Sequence, residues 1–185
     1  MRRRLSRMGL SLNLPFRRNP ARDAAEHAYG LVVEQSRRHE FFTALGVPDT
    51  LDGRFEVICL HAFLYLHRLK AEGAAAAALG QGFFDGMFAD FDRSLREIGT
   101  GDLSVGRQVK RMAEAFYGRI RAYEDGLAGD DAVLAAALAR NLYGTGTSSD
   151  EQLARVAAYL RREVTHLESQ PAATLIAGTV RFGAP

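Results

Sequence analysis

The sequence has 185 residues, of which 47% are hydrophobic, and its formal net charge is +2. This length and composition suffice for one domain with a hydrophobic core. The longest uncharged stretches, of about a dozen residues, are shorter than the roughly 20 apolar residues of a transmembrane helix. The single cysteine, Cys59, excludes an intrachain disulfide and is predicted to be a small core residue, since it lies in an apolar run.

Residues 1–20 are predicted to form a basic arm. Residues 1–22 contain seven arginines and no acid, which leaves 17 basic and 22 acidic side chains in the rest of the chain. The arm lacks the continuous apolar run, of about 7–15 residues, that a secretory signal needs. Two interpretations stay open: a solvated tail, or contact with an anionic membrane surface or a ribosome. The arginines available for such a contact are Arg2, Arg3, Arg4, Arg7, Arg17 and Arg18.

Helix-forming residues dominate the remaining chain. We therefore predict an all-α, single-domain bundle of about six helices over residues 21–170, with a C-terminal tail at residues 171–185. The first helix is expected to continue to about Leu45. The second, from about residue 54 to residue 72, is apolar on two faces, which is typical of a helix in the middle of a bundle or with a second face for a partner.

The later helices follow from apolar residues at helical spacing. The third carries a phenylalanine-rich face, including Phe84, Phe88 and Phe91, which is either core or an apolar surface for a client. After a glycine-rich turn at residues 99–102 come a long fourth helix and a fifth over about residues 131–143. Ser148 and Glu151 are predicted to form the capping box that opens the sixth. The tail is a candidate for a short extended segment.

No catalytic, metal or nucleotide motif is recognisable in the sequence. No histidine has another histidine three or four residues away, and HExxH and CxxC are absent, so no metal site is predicted. Cys59 and His61 point about 200° apart on a helix, too far for a nucleophile and its base. The glycines around residue 100 do not fit GxGxxG. We therefore predict a non-catalytic protein without a cofactor.

Two segments of the sequence carry a more specific signal than the amino-acid composition does. The first is Gly-Val-Pro-Asp-Thr-Leu-Asp-Gly-Arg-Phe at residues 46–55, and the second is Asp-Arg-Ser-Leu-Arg-Glu-Ile-Gly-Thr-Gly-Asp-Leu-Ser-Val at residues 92–105. With Phe-Tyr-Gly-Arg at residues 116–119 and Arg-Asn at residues 140–141, they resemble the ubiquinol–cytochrome c chaperone family over about residues 25–145. The low lysine content and compact length resemble bacterial members.

The resemblance implies a non-catalytic role in assembling ubiquinol–cytochrome c reductase, respiratory complex III. Its client would be cytochrome b or another reductase subunit. A small partner protein and a ribosome contact are features of the mitochondrial relatives and are less secure for bacterial ones. The expected location is the bacterial cytoplasm, at the inner face of the membrane, with the mitochondrion as the alternative.

Residues 49–61 and 92–102, which overlap the two motif segments, are the predicted functional surface. Many of their polar residues flank helix boundaries, so a helix cap or a local salt bridge is the competing interpretation for each. Asp49 or Thr50 would cap the second helix and Asp102 or Ser104 the fourth, and Asp92 with Arg96 fits an i,i+4 ion pair. The predicted partner-binding residues are Asp49, Asp52, Arg54, Phe55, His61, Asp92, Arg96, Glu97, Asp102, Lys110, Tyr117 and Arg119.

Two other classes of protein stay open. A ligand-sensing transcription regulator needs an N-terminal helix-turn-helix of about 45 residues with a positive recognition helix. That region here contains Glu26, Glu34 and Glu40, so DNA is not an expected partner. The other class is a helical protein that binds a quinone, haem or lipid, with the phenylalanine-rich face as a pocket wall.

Overall fold

The computed structural model describes residues 20–144 and 146–185, apart from the side chain of Leu103. All regular elements in these residues are helices, which confirms the all-α prediction. The proposed contacts of the basic arm lie outside the described residues. The helices are α1 (Pro20–Ser36), α2 (Glu40–Thr43), α3 (Leu51–Lys70), α4 (Ala74–Glu97), α5 (Asp102–Ala128), α6 (Asp131–Asn141), α7 (Asp150–Glu168) and α8 (Ala172–Ile176).

Helix α3 lies at the centre of the bundle. It contacts α1, α4, α5 and α7, and every residue from Cys59 to Tyr65 is buried. An element surrounded in this way needs apolar side chains on more than one face. The prediction that this helix belongs in the middle of the bundle is therefore confirmed, and so is the core position of Cys59.

The phenylalanine-rich face of α4 is mostly core. Phe83 and Met87 are fully buried, and Phe88 and Phe91 are at most 7% exposed. The rings pack against one another, with 5.5 Å between the centroids of Phe88 and Phe91. Of the two interpretations, core packing rather than an open client surface describes most of this face.

The first predicted helix is broken. Helix α1 ends at Ser36 and α2 begins at Glu40, whereas the sequence pattern suggested one helix to Leu45. The hydroxyl of Ser36 donates to the carbonyl of Val32 at 2.7 Å, a bond that competes with the regular backbone ladder. The resulting turn inserts Phe41 into the core, where it is fully buried.

The cap of α7 differs from the prediction by one residue. The capping box consists of Ser149 and Gln152, not Ser148 and Glu151. Both pairs fit the pattern of a hydroxyl three residues before Glu or Gln. The local sequence Ser-Ser-Asp-Glu-Gln therefore leaves the register of the cap open.

Of the two cap predictions for the helices in the motif segments, one is confirmed and the other is wrong. Thr50 caps α3, as one alternative predicted, by accepting a hydrogen bond from the Gly53 amide at 3.1 Å. The prediction for α5 was wrong, because its N-cap is Gly101 and no side chain caps it. Asp102 instead pairs with Arg96, and the Ser104 hydroxyl donates to the Gly101 carbonyl.

The C-terminal segment folds onto the bundle. It forms the short helix α8, not an extended segment, and Leu175 and Val180 are buried. The hydroxyl of Tyr65 on α3 donates to the Leu175 carbonyl at 2.8 Å. Gly178 has φ +84°, and a Cβ there would lie 2.1 Å from the carbonyl oxygen of Ala24 on α1. Glycine allows the segment to pass this close to α1.

Candidate functional site

A groove of about 980 Å³ lies between the start of α3, the end of α4, the first half of α5 and the connection that follows α6. It brings together the motif segments at residues 46–55 and 92–105, along with Arg140 and Asn141. Two large apolar side chains of its lining, Leu51 and Ile98, are 61% and 58% exposed. The other large aliphatic and phenylalanine side chains of the lining are Val33, Phe55, Ile58, Phe91, Leu95, Met112 and Leu142.

An ion pair joins α3 to α5 within this lining. The Nε of Arg119 donates to a carboxylate oxygen of Glu56 at 2.6 Å, and a second bond joins the other oxygen to Nη2. The two side chains are only 12% and 15% exposed. The Arg119 guanidinium also lies 5.6 Å from the centroid of the Phe55 ring. The pair is therefore a fixed polar point in a largely apolar surface.

Burial and pairing act in opposite directions on the pKa of Glu56. Loss of hydration raises it, and the hydrogen bonds and charge of Arg119 lower it, with burial the larger effect. A carboxylate held under such opposing influences depends on its arginine to stay charged. The geometry of the pair thus fixes both the position of Arg119 and the ionisation of Glu56.

Three further arginines line the groove: Arg37, Arg111 and Arg140. Among the described residues, none of them has an ion pair or a side-chain hydrogen bond. The remaining lining arginine, Arg54, is paired with Asp49 at 2.6 Å. The groove therefore offers, beside apolar surface, arginines that have no direct ion-pair partner among the described residues.

Several other predicted site residues lie at the turn between α4 and α5. Arg96 donates to Asp92 at 2.6 Å and also contacts Asp102, which confirms the predicted i,i+4 pair. The hydrogen bond from Arg96 lowers the pKa of the Asp92 carboxyl. These residues and the exposed Glu97 border the groove residue Ile98 in sequence without lining the groove themselves.

The structure does not bring the other predicted residues into the groove. Lys110 is exposed and lies 3.9 Å from Glu114. Tyr117 is 60% exposed, and its ring stacks on Phe84 with centroids 5.4 Å apart. His61 is fully buried, so it has no surface to offer a partner.

His61 instead belongs to a buried hydrogen-bond network. Its Nδ1 lies 2.8 Å from the Val57 carbonyl and its Nε2 2.8 Å from the Tyr159 hydroxyl. Because a carbonyl only accepts, Nδ1 carries the proton and Nε2 accepts from Tyr159. The amide of Gln35 bridges Tyr159 and the Gly183 carbonyl, at 3.1 and 2.8 Å. Burial lowers the pKa of His61 to about 4, which keeps the imidazole neutral near pH 7.

The family model described as ubiquinol-cytochrome C chaperone matches residues 43–182. The chain belongs to this family. The match extends beyond the part of the chain in which the motifs were recognised and includes α8 and the segment that follows it. It covers most of the groove, since only Val33 and Arg37 of the lining lie before it.

Relatives of this family member carry names that state an assembly role. The chain is 31% identical over 162 residues to ubiquinol-cytochrome-c reductase complex assembly factor 1 of Xenopus laevis, covering 88% of this chain and 81% of that protein. The Mus musculus protein of the same name is 28% identical over 176 residues, and the match covers 95% of this chain and 60% of the mouse protein. The chain thus spans less of the mouse relative than of the frog relative.

A solved structure of similar fold is the crystal structure of the Cbp3 homolog from Brucella abortus. It has a TM-score of 0.80 and 36% sequence identity to this chain, with 89% of this chain and 91% of that chain covered. A further relative, Protein CBP3, mitochondrial, of Saccharomyces cerevisiae is 27% identical over 135 residues. The family is therefore represented in both bacteria and mitochondria.

Sequence reasoning missed Glu56 and the three unpaired arginines of the groove. Glu56 gave a detectable signal, because it is the only acidic residue between Asp52 and Glu72 and directly precedes the apolar run that begins at Val57. Arg140 also gave a signal, because the Arg-Asn pair at residues 140–141 was part of the family resemblance, although Arg140 was not among the predicted contact residues. Arg37 and Arg111 gave none, since they come from distant parts of the chain. In the part of the chain that the structure describes, no helix is both long and apolar enough to span a membrane.

Proposed function

We propose that this chain is a non-catalytic assembly chaperone of ubiquinol–cytochrome c reductase, and that its groove holds a segment of cytochrome b or of another reductase subunit. The observation that carries the proposal is the groove itself, because both motif segments line it and expose Leu51 and Ile98 at its surface. The names of the relatives, which are reductase assembly factors, support the same role.

The chemistry of the groove suits an apolar client. Exposed apolar patches on a soluble domain are typical of interaction sites, and a groove between helices is a common receptor for an amphipathic segment. Phe55, Ile58, Phe91 and Met112 line it, and each is at least partly shielded from water. A client that covered Leu51 and Ile98 would bury them too, and the hydrophobic effect favours this binding.

Under this proposal the predicted contact residues have different roles. Asp52, Arg54, Phe55 and Arg119 line the groove and would meet the client directly. Asp92, Arg96, Glu97 and Asp102 would act through the turn that carries Ile98, and Asp49 through Arg54. Lys110 and Tyr117 would belong to a second contact, such as one with a small partner protein. His61 would have a structural role in the core.

A ligand-binding role is the second candidate. The groove volume of about 980 Å³ lies at the upper end of the range of roughly 300–1,000 Å³ that is usual for small-molecule sites. A quinone, haem or lipid would then occupy the space assigned to the client. No observation on the described helices favours the transcription-regulator class.

The proposed site of action is the inner face of a bacterial membrane, with the basic arm as a peripheral contact. The mitochondrion is the alternative, and the name of the yeast relative includes that location. Fractionation of native cells with an antibody to the chain distinguishes the two settings. Recovery in the membrane fraction that salt extracts supports a peripheral contact.

The test of the function is a pull-down of the tagged full chain from its native cells, followed by mass spectrometry. The wild type is expected to enrich cytochrome b or another reductase subunit. The double variant Leu51→Ser, Ile98→Ser is expected to lose that enrichment. Val133→Ser is the matched control, because Val133 is 47% exposed on α6 but does not line the groove.

Three results would speak against the proposal. Absence of every reductase subunit from the wild-type sample rejects the assembly role. Equal loss in the double variant and in Val133→Ser removes the groove from it. A coloured or lipidic small molecule that copurifies with the wild type, and not with the groove variant, favours the second candidate.

A further inference from the structure

We propose that the groove selects client segments that carry an acidic side chain beside their apolar residues, and that Arg37, Arg111 and Arg140 bind this acid. The inference rests on the proposed function and adds the chemical class of the segment. Its starting point is the juxtaposition of these three arginines with the exposed Leu51 and Ile98 around one groove.

The charges of the lining do not balance. Five arginines line the groove, but only three acids do: Asp52, Glu56 and Asp90. Glu56 is held by Arg119, and Asp90 accepts a hydrogen bond from Tyr29 at 2.9 Å and lies 3.7 Å from Arg93. Because the acids of the lining are largely engaged, the surplus charge around the groove is positive.

This local charge is opposite to that of the rest of the domain. Beyond residue 22 the chain carries 17 basic and 22 acidic side chains, so a random surface patch would be acidic on average. A groove of opposite sign attracts anionic groups and repels cationic ones. Arginine is suited to this task, since its guanidinium binds a carboxylate through two parallel hydrogen bonds.

The basic arm of the same chain is a poor occupant. Residues 1–22 contain seven arginines and no acid, and like charges placed together cost free energy in a binding site. The charge of the groove therefore favours a segment of another molecule, in which acidic side chains accompany the apolar ones.

A peptide fits the groove better than a small anionic ligand does. Arg37 directly follows α1, Arg111 lies on α5 and Arg140 on α6, so three separate elements contribute arginines to the lining. The apolar lining also includes Leu51 and Ile98, which are 61% and 58% exposed, and an extended segment covers more of this surface than a small ligand does. A segment lying along the groove covers both features, as in the known helix-in-groove complexes.

The haem alternative lacks suitable ligands. Protein haem iron is usually held by His, Met, Cys or Tyr, and the groove lining contains no His or Cys. Its tyrosine, Tyr143, donates to the Leu45 carbonyl at 2.6 Å and is buried, which leaves Met112 alone. The unpaired arginines are thus better explained by carboxylates of a polypeptide.

The experiment uses the full chain and overlapping synthetic peptides of about 20 residues, close to the length of one membrane-spanning helix, from the cytochrome b of the same cells. Binding is measured by fluorescence anisotropy. Each peptide that binds is remade with its acids changed to amides and, separately, to lysines. We expect the amide copies to bind about tenfold more weakly, which corresponds to about 1.4 kcal/mol, and the lysine copies to bind more weakly still.

The receptor is varied in parallel. Arg111→Gln, Arg140→Gln is expected to bind acidic peptides about tenfold more weakly than the wild type does and to lose the preference for acidic over amide copies. Arg107→Gln, Arg121→Gln is the control, because both arginines lie on α5, are exposed and do not line the groove. It is expected to bind as the wild type does.

Several results would overturn the inference. These are equal affinity for acidic and amide copies, equal loss in both double variants, or no peptide binding at all. Arginine-dependent binding to vesicles of anionic phospholipid in place of peptides would assign the groove to a membrane surface instead. If the pull-down still recovers reductase subunits in any of these cases, the assembly role stands and only the acidic preference falls.

Discussion

The Glu56–Arg119 ion pair is largely buried, with side chains 12% and 15% exposed. A pair of this kind gains little over well-packed apolar residues, because both charges have lost their water. Removing one partner alone is far more costly, since the other is left charged and uncompensated. The value of the pair therefore lies in where it holds Arg119, between α3 and α5, and not in net stability.

This asymmetry predicts the behaviour of Arg119→Met. The variant should lose about 3–5 kcal/mol of unfolding free energy, because Glu56 stays buried without a partner. The double variant Glu56→Leu, Arg119→Met should recover most of this loss. Urea unfolding followed by circular dichroism measures both. A double variant as unstable as the single one would mean that the pair itself contributes large net stability.

His61 gives the protein a pH dependence whose sign is fixed by its burial. The folded-state pKa is about 4, below the ordinary value of 6.5, so the unfolded chain binds more protons between these values. The contribution of neutral His61 to the free energy of unfolding is then fully present above pH 6.5. It is lost as the pH drops towards 4, which lowers the free energy of unfolding by about 3 kcal/mol for this group. Glu56, whose pKa is raised, acts in the opposite direction, so His61 has to be isolated by substitution.

The variant His61→Gln supplies that comparison. Glutamine retains a donor and an acceptor but does not titrate. We expect the wild type to lose more unfolding free energy than the variant between pH 7 and pH 5, as measured by urea unfolding at both values. Equal losses would show that other groups produce the acid sensitivity.

At the scale of the element, the start of α3 is constrained by its approach to the preceding loop. A Cβ at Gly53 would lie 1.9 Å from the carbonyl oxygen of Pro48, and this oxygen belongs to the backbone and cannot rotate away. The Thr50 cap bonds the amide of the same glycine. The turn that places Leu51 beside the groove thus depends on the absence of a side chain at residue 53.

Gly53→Ala is therefore expected to lower the melting temperature by several degrees, as over-packing of about 1–3 kcal/mol does in a small domain. Gly86→Ala on α4 is the control, because nothing lies within 4 Å of its Cβ position. The control should raise stability by about 0.5–1 kcal/mol through the helix preference of alanine. Thermal unfolding by circular dichroism compares them, and a harmless Gly53→Ala would contradict the close contact.

The sequence predicted the elements that repeat a pattern over many residues. The stripes of α3 and α4 have the helical period, so these elements, and the central position of α3, were predictable. The break after Ser36 was not, because there the Ser36 hydroxyl lies 3.2 Å from Nδ1 of His61 on α3 and Phe41 is inserted into the core. Local pattern does not contain such tertiary effects.

The candidate site was predictable only in part, for the same reason. The motif segments at residues 46–55 and 92–105 do line one groove, although their approach required the packing of α3 against α4. Arg37 and Arg140 lie about 100 residues apart in the sequence and line the same groove only because the bundle folds. His61 was among the predicted partner-binding residues, but its place on α3 turns its side chain into the core.

At the scale of the whole molecule, the arm and the domain carry opposite net charges. Deletion of residues 2–18 removes six arginines and no described helix. We expect an unchanged melting temperature, together with weaker association with membranes, because basic residues near an anionic surface contribute about 1 kcal/mol each. Sedimentation with anionic vesicles measures the association. An unchanged bound fraction would reject the proposed contact of the arm with lipid.

The C-terminal segment has a consequence for how this protein is made. Gln35 bonds the carbonyl of Gly183, 148 residues later, and Phe182 packs its ring 5.1 Å from that of His61. Synthesis proceeds from the N-terminus, so every lining residue of the groove has been synthesised by residue 146, while the polar network behind His61 still lacks its last partners. The core behind His61 is thus expected to gain its full stability in one late step, when the last residues of the chain pack onto the bundle.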